Sequence, residues 1–200
     1  MLLDTGADVN AQGGEYGNAL QAASATGHDQ VVQMLLDKGA DVNAQGGVYG
    51  NALQAASSRG HDQVVQMLLD KGADVNAQGG MYGNLYKGAD VNAQGGWYGN
   101  ALYAASATGH DQVVQMLLDK GADVNAQGGM YGSALQVASA TGHDQVVQML
   151  LDKGADVNAQ GGRYGNALYA ASATGHDQVV QMLLDKGADQ QVMIKWCRCC

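Results

Sequence analysis

The stretch GHDQVVQMLLDKGADVNAQGG, Gly27 to Gly47, decides the fold. It returns without substitution at Gly60–Gly80, Gly109–Gly129 and Gly142–Gly162, and Gly175–Asp189 repeats its first part. The Gly-Ala-Asp marker inside it falls at Gly6, Gly39, Gly72, Gly88, Gly121, Gly154 and Gly187, so the steps are 33, 33, 16, 33, 33 and 33 residues. A fixed period of this size is the signature of a stacked repeat array. In such an array the core runs along the length and each unit touches mainly its neighbours.

The period resolves into elements when one unit, Gly13 to Gln45, is read residue by residue. Gly13-Gly14-Glu15-Tyr16-Gly17 is a glycine-rich turn. Asn18 precedes the helix-forming run Ala19–Ala25, where its side-chain oxygen can accept from an orphan backbone N–H. Asn51, Asn100 and Asn166 hold the same place, and Ser133, also a capping residue, replaces Asn once. Gly27-His28 breaks this helix. Asp29 opens a second one, its carboxylate suited to the positive end of the helix dipole. Val31/Leu35 and Val32/Leu36 are i, i+4 pairs on a broad apolar face. Gly39, after Lys38, marks a left-handed stop. Each unit is thus an antiparallel helix pair with an extended loop. Its apolar side chains cannot offset the ordering of 33 residues, which costs about 1–2 kcal/mol per residue in backbone entropy alone. Stacking must supply the missing burial.

The Gly27-His28 pair, the Val-Val-x-Met-Leu-Leu-Asp-Lys-Gly-Ala-Asp-Val-Asn-Ala run and the 33-residue period resemble the ankyrin repeat, over about Met1 to Asp189. The resemblance implies an all-α solenoid of stacked helix–turn–helix pairs with hairpin loops, interrupted near 81–94. It also implies a protein-interaction function. Three departures stand out. Asn18-Ala19-Leu20-Gln21 replaces the family's Thr-Pro-Leu-His box. Tyr16-Gly17 replaces a glycine at the hairpin tip, where a different turn is expected. Asp29 stands where leucine is usual.

The order of units is irregular in three places. Met1-Leu2-Leu3-Asp4 matches Met34–Asp37, so the chain opens inside a second helix and reads as part of a longer array. Between the second and third complete pairs, Met81–Lys87 stands where 17 residues of a unit are missing, since the step there is 16 instead of 33. The expected organisation is a block over 1–80, a truncated repeat over 81–94, a block over 95–189 and a non-repeat tail over 190–200. A miscalled intron of that length would explain the gap. The tail, Gln190 to Cys200, reads as a frame slip or read-through. Its Cys-x-Cys-Cys lacks the paired spacing of a zinc site.

Composition narrows the function. The net charge is −9 and the pI about 4.6. An acidic surface repels phosphate backbones and anionic lipid, which argues against nucleic-acid and membrane-surface partners. No apolar run reaches the ~20 residues that span a bilayer. All three cysteines lie in the tail, which fits a reducing compartment or simple indifference to redox, and no secretory signal is evident; a cytoplasmic setting is expected. The five histidines share one Gly-His turn, a repetition that points to structure and not catalysis. No serine or cysteine has a distinct base beside it. The Gly-Gly-x-Tyr-Gly loops lack the context of a phosphate cradle. No enzyme activity, cofactor, metal or small-molecule substrate is expected.

The signal for function is variation within near-identity. The residue before the loop tyrosine reads Glu15, Val48, Met81, Trp97, Met130 and Arg163. The ankyrin resemblance places it on the hairpin finger, by the concave binding surface. The position after the first-helix leucine reads Gln21, Gln54, Tyr103, Gln136 and Tyr169. Tryptophan, tyrosine and arginine dominate interface energetics. The expected partner-binding set is therefore Glu15, Val48, Met81, Trp97, Met130, Arg163, Tyr103 and Tyr169. The repeated loop tyrosines, Tyr16, Tyr49, Tyr98, Tyr131 and Tyr164, are expected to pack within the loop layer. Near-identical units with one changeable finger position also resemble the ankyrin sensor arrays of fungal NOD-like receptors, which carry an NTPase domain upstream. The competing reading is a decayed or misannotated remnant, favoured by the gap, the mid-helix start and the tail.

Overall fold

The computed structural model describes residues 6–79 and 99–189. Among them are ten α-helices and no strands beyond isolated bridges. They alternate as first and second helices of five pairs: α1 (Ala19–Ala25) with α2 (Asp29–Asp37), α3 (Ala52–Arg59) with α4 (Asp62–Asp70), α5 (Ala101–Thr108) with α6 (Asp111–Asp119), α7 (Ala134–Thr141) with α8 (Asp144–Asp152), and α9 (Ala167–Thr174) with α10 (Asp177–Asp185). First helices pack on first helices and second on second, in chain order, giving two parallel layers.

The caps are those the residues dictate. Asn18, Asn51, Asn100 and Asn166 sit in extended backbone and accept from the N–H three residues on, at 2.7–2.9 Å. Ser133 forms a capping box instead: its hydroxyl accepts from the Gln136 N–H at 3.3 Å, and its own N–H donates to Gln136 Oε1 at 2.6 Å. At the other end of α2, Gly39 has φ +86°, Ala40 N–H donates to the Leu35 carbonyl at 3.0 Å, and Gly39 N–H to that of Leu36 at 3.1 Å. That is the two-bond stop that satisfies the last orphan carbonyls.

One turn glycine has a second duty. Gly27 has φ +69°, and a Cβ on it would lie 2.6 Å from the His61 ring of the next pair. The histidine fills the space that glycine leaves, and its Nε2 lies 3.3 Å from the Ala25 carbonyl oxygen. His143 meets Ala107 and His176 meets Ala140 in the same way, at 3.3 and 3.2 Å. These histidines are joints between units, as their repetition implies.

Stacking can be read from a single residue type. Val31, in the first described pair, is 40% exposed; its counterparts Val64, Val113, Val146 and Val179 are 2% exposed or less. The sequence around each is the same, so the burial comes from the preceding pair. Covering a valine in this way contributes about 1.5–3 kcal/mol. The resulting core is one continuous cluster from Leu20 through Leu68, Leu117 and Leu150 to Leu183.

The sequence anticipates a break between the second and third pairs, and the described residues are continuous there. α3 packs on α5 and α4 on α6. Lys120 Nζ donates to Asp70 at 3.1 Å although the two are 50 residues apart, as Lys71 does to Asp37 at 3.2 Å across 34. Asn76 Nδ2 reaches the Gly121 carbonyl, and Asp123 N–H reaches Asn76 Oδ1, as in every other step. The two stretches therefore stack as consecutive repeats with 16 extra residues between them. The segment 80–98, which holds the expected truncated repeat, lies outside the described residues, as do 1–5 and the tail.

Candidate functional site: the finger row

Four loops among the described residues fold into a short hairpin pinched by glycine. Gly13 N–H donates to the Gly17 carbonyl at 2.6 Å, Gly46 to Gly50 at 2.7 Å, Gly128 to Gly132 at 2.6 Å and Gly161 to Gly165 at 2.7 Å. The variable residue stands at the tip of each hairpin. Val48 N–H donates to the Glu15 carbonyl, and Arg163 N–H to the Met130 carbonyl, both at 3.0 Å. Among the described residues the tips are thus hydrogen-bonded neighbours in two pairs, Glu15 with Val48 and Met130 with Arg163. Glu15 and Arg163 are exposed, and Val48 and Met130 half-buried. Met81 and Trp97 lie outside the described residues.

Behind the tips runs a layer of tyrosines. Tyr16 stacks on Tyr49 with ring centroids 6.2 Å apart and planes 13° apart, and Tyr131 on Tyr164 at 5.4 Å and 18°. Such offset pairs are worth about 0.5–1.5 kcal/mol beyond their burial. The loop tyrosines Tyr16, Tyr49, Tyr131 and Tyr164 pack in pairs, as the sequence implies, and Tyr98 lies outside the described residues. Arginine caps the layer twice. Arg163 lies 5.8 Å over the Tyr164 ring. Arg59, which stands where the other complete units carry Thr26, Thr108, Thr141 and Thr174, lies 5.8 Å over Tyr49 and donates to its hydroxyl from Nε at 3.1 Å and Nη2 at 2.7 Å. Arg59 is absent from the contact set expected from the sequence. Its basic side chain among finger-face neutral residues was the available signal.

The first-helix position has a different job from the one expected. Gln21 is 1% exposed, and its Nε2 lies 3.1 Å from the carbonyl oxygens of Ala44, Gly46 and Gly50 in the next finger. Gln54 and Gln136 hold the following fingers in the same way. Tyr103 substitutes for this staple. It is 3% exposed, its ring fills the space over Gly129, and its hydroxyl accepts from Tyr131 N–H at 3.1 Å. Burial pushes its phenol up to about 12. Tyr103 is therefore a support beneath the fingers and not a contact on them, because its whole ring is covered by the next hairpin. Tyr169 is half-buried, with its ring 6.1 Å from Tyr164. It remains on the finger face.

Charge divides between the layers. Every aspartate among the described residues lies in a second helix or an inter-repeat loop. Asp37, Asp70, Asp119 and Asp152 each accept from a glutamine of their own helix and a lysine of the next pair, which hold these carboxyls below the usual range. The lysines of the described residues all cap second helices. Outside the second helices, their lysine caps and the Gly-Ala-Asp turns, the charged side chains of the described residues are Glu15, Arg59 and Arg163.

No group of three or more histidine, cysteine, aspartate or glutamate side chains among the described residues is placed to hold a metal ion. No helix among them is long and apolar enough to cross a membrane. A family model described as ankyrin repeats, in three copies, matches residues 1–79, 82–161 and 132–194. The azaphilone pigments biosynthesis cluster protein L of Monascus ruber is 81% identical over 26 residues, which are 13% of this chain and 6% of that protein. The chain thus aligns with only a small part of that relative's length. Stacked helix pairs at a 33-residue step, hairpin fingers between them and a family match over most of the sequence agree: the chain belongs to the ankyrin-repeat family, whose members are generally protein–protein interaction modules on a non-enzymatic fold.

Proposed function

We propose that the chain recognises a protein partner through its finger row, with Glu15, Val48, Met130, Arg163 and Tyr169 as contact residues. Met81 and Trp97 join this set on sequence grounds. The observation that carries the reading is the contrast at the tips: side chains of every class stand at one hydrogen-bonded position on an otherwise constant scaffold. The buried staple residues beneath them do not vary in that way. They are glutamine, whose Nε2 donates to finger carbonyls, or Tyr103, whose hydroxyl accepts from a finger N–H. The wider diversity at the tips than at the buried staple beneath them supports selection for recognition. The near-identity of the units also supports a sensor role within a larger, receptor-like protein. The cysteine-free repeats support a cytoplasmic setting, and the acidic balance opposes a nucleic-acid partner. The reading as a decayed remnant is not favoured, since the described pairs keep their caps and joints.

Affinity capture followed by mass spectrometry tests the proposal. The intact chain is compared with a Glu15→Ala, Met130→Ala, Arg163→Ala variant and with a control altered on the outer helices, Gln112→Ala and Gln145→Ala. Partners lost by the finger variant and kept by the control are the expected result. Equal capture by all three overturns the assignment of the finger row.

A further inference from the structure

Among the described residues the last pair, α9 with α10, keeps an open stacking face. Val180 and Leu184 are half-buried there, whereas their counterparts in the four earlier pairs are buried. Ser172 is half-buried where Ser24, Ser57, Ser106 and Ser139 are fully covered. Beside Gly27, Gly60, Gly109 and Gly142 the histidine ring of the next pair fills the space, and beside Gly175 that space is open. Asp37, Asp70, Asp119 and Asp152 each take a lysine of the next pair. Asp185 accepts from Gln181 at 2.7 Å, and the described residues hold no later pair to bring it a lysine. A second copy of the chain does not fit this face in register. The stacking place in front of α2 is taken by the chain's own Asn10, whose Nδ2 donates to the Gly39 carbonyl at 3.3 Å and whose Oδ1 accepts from Asp41 N–H at 2.8 Å. Gly6-Ala7-Asp8 is the sequence equivalent of Gly187-Ala188-Asp189, so two such turns would compete for one position.

The residues after Asp189 have the composition and the reach to cover the face. Asp189 N–H donates to Asn158 Oδ1 at 2.8 Å, which fixes where the following segment starts, at the foot of α10. Residues 190–200 carry Val192, Met193, Ile194 and Trp196 beside Lys195 and Arg198, with no acidic side chain. Val180 lies nine residues before Asp189, roughly 13 Å at the helical rise. Trp196 lies seven residues after it, a reach of up to about 23 Å when extended. We propose that residues 190–200 fold back over the open face of the last pair. Their apolar side chains, Trp196 foremost, cover Val180 and Leu184, and Lys195 takes Asp185 as Lys186 takes Asp152. The segment needs no repeat pattern for this, only apolar side chains and a cation within reach. It then does the work of a terminal capping unit, keeping an apolar stacking face from water and from other chains.

Fluorescence of Trp196 tests the proposal in the full-length chain carrying Trp97→Phe, which leaves it the single tryptophan. Helical circular dichroism serves as the control for folding in every variant. The expected result is emission at shorter wavelength than in the urea-unfolded chain, with severalfold weaker acrylamide quenching that does not depend on protein concentration. Leu184→Asp should raise the quenching. Asp185→Lys, a change at an exposed position, should raise it too, and Lys195→Asp added to it should restore the shielding. Quenching in the native chain equal to that in the unfolded chain overturns the proposal. Shielding that survives both Leu184→Asp and Asp185→Lys overturns it as well, because Trp196 is then held elsewhere. Shielding lost on dilution overturns it in a third way, because the cover then comes from a second copy. Shielding lost with Leu184→Asp but untouched by Asp185→Lys overturns the Lys195–Asp185 pairing and supports the face.

Discussion

Residue scale. The units differ so little that they serve as controls for one another. Gln136 Oε1 accepts the backbone N–H of Ser133, whereas Gln21 Oε1 and Gln54 Oε1, behind Asn18 and Asn51, are buried without a partner. An unmet buried acceptor costs about 1–3 kcal/mol. Asn51→Ser is therefore expected to keep the cap, complete the box at Gln54 and raise the urea midpoint. Asn51→Ala, which removes the cap, is expected to lower stability by about 1 kcal/mol. Equal midpoints for the two variants would count against this account of the cap. Tyr103 supplies a second case. Its phenol is raised to about 12 by burial, with the Tyr131 N–H bond opposing. A tyrosine ionises near pH 10 in the unfolded chain. A raised folded value means a contribution fully present below that pH and lost as pH rises through about 12. An ultraviolet titration should show the Tyr103 phenol ionising above the unfolded value, and Tyr103→Phe should remove that step. Tyr103→Phe should flatten part of the alkaline loss of stability, at the expense of the bond to Tyr131.

Element scale. The caps and both helices of each unit were legible in the sequence, because their signals are local: Asn18 and Gly39 act within four residues of where they stand. The role of the position after the leucine was not. Gln21 meets carbonyls 23, 25 and 29 residues away, and no spacing rule within one helix points to them. An exposed polar residue and a buried staple look alike until the next finger is in place. The same reason hid Tyr103 beneath the hairpin. Gln54→Leu keeps the volume but removes three bonds to the following finger. It is expected to destabilise by about 1–3 kcal/mol. Faster amide exchange should appear in residues 74–79, with little change in α3 itself. Exchange that rises uniformly along the chain would refute the staple. The lysine–aspartate ladder is a weaker element. Its side chains are roughly half exposed, and solvent screening leaves surface pairs of this kind little net contribution. The four aspartates that accept from glutamine first and lysine second are held below the usual carboxylate range. Their small contribution is present above the unfolded value near pH 4 and is lost as pH falls through the lower folded values. Added salt should shrink that acid-side loss, as followed by thermal melts in low and high salt.

Whole-molecule scale. The repeat family and the all-helical stack could be read from the period alone, but the continuity of the stack could not. Sixteen extra residues in the spacing look like a broken unit on the page, and yet Lys120 and Asp70 close the same contact as every other step. Continuity is a property of matching faces. Identical residues present identical faces wherever they fall in the chain. The exposure of Val31 against the burial of Val64, Val113, Val146 and Val179 makes the same point in energetic terms: one sequence is half-wet or dry according to whether a neighbour covers it. The array therefore owes its order to association between units that are individually too poor in core to hold a fold. The most direct test is the helical circular dichroism of the isolated unit Gly13–Gln45 during a thermal melt, measured beside the full chain. The account predicts a cooperative transition in the full chain and a flat, weakly helical trace in the isolated unit. A cooperative helical melt of that unit by itself would contradict it.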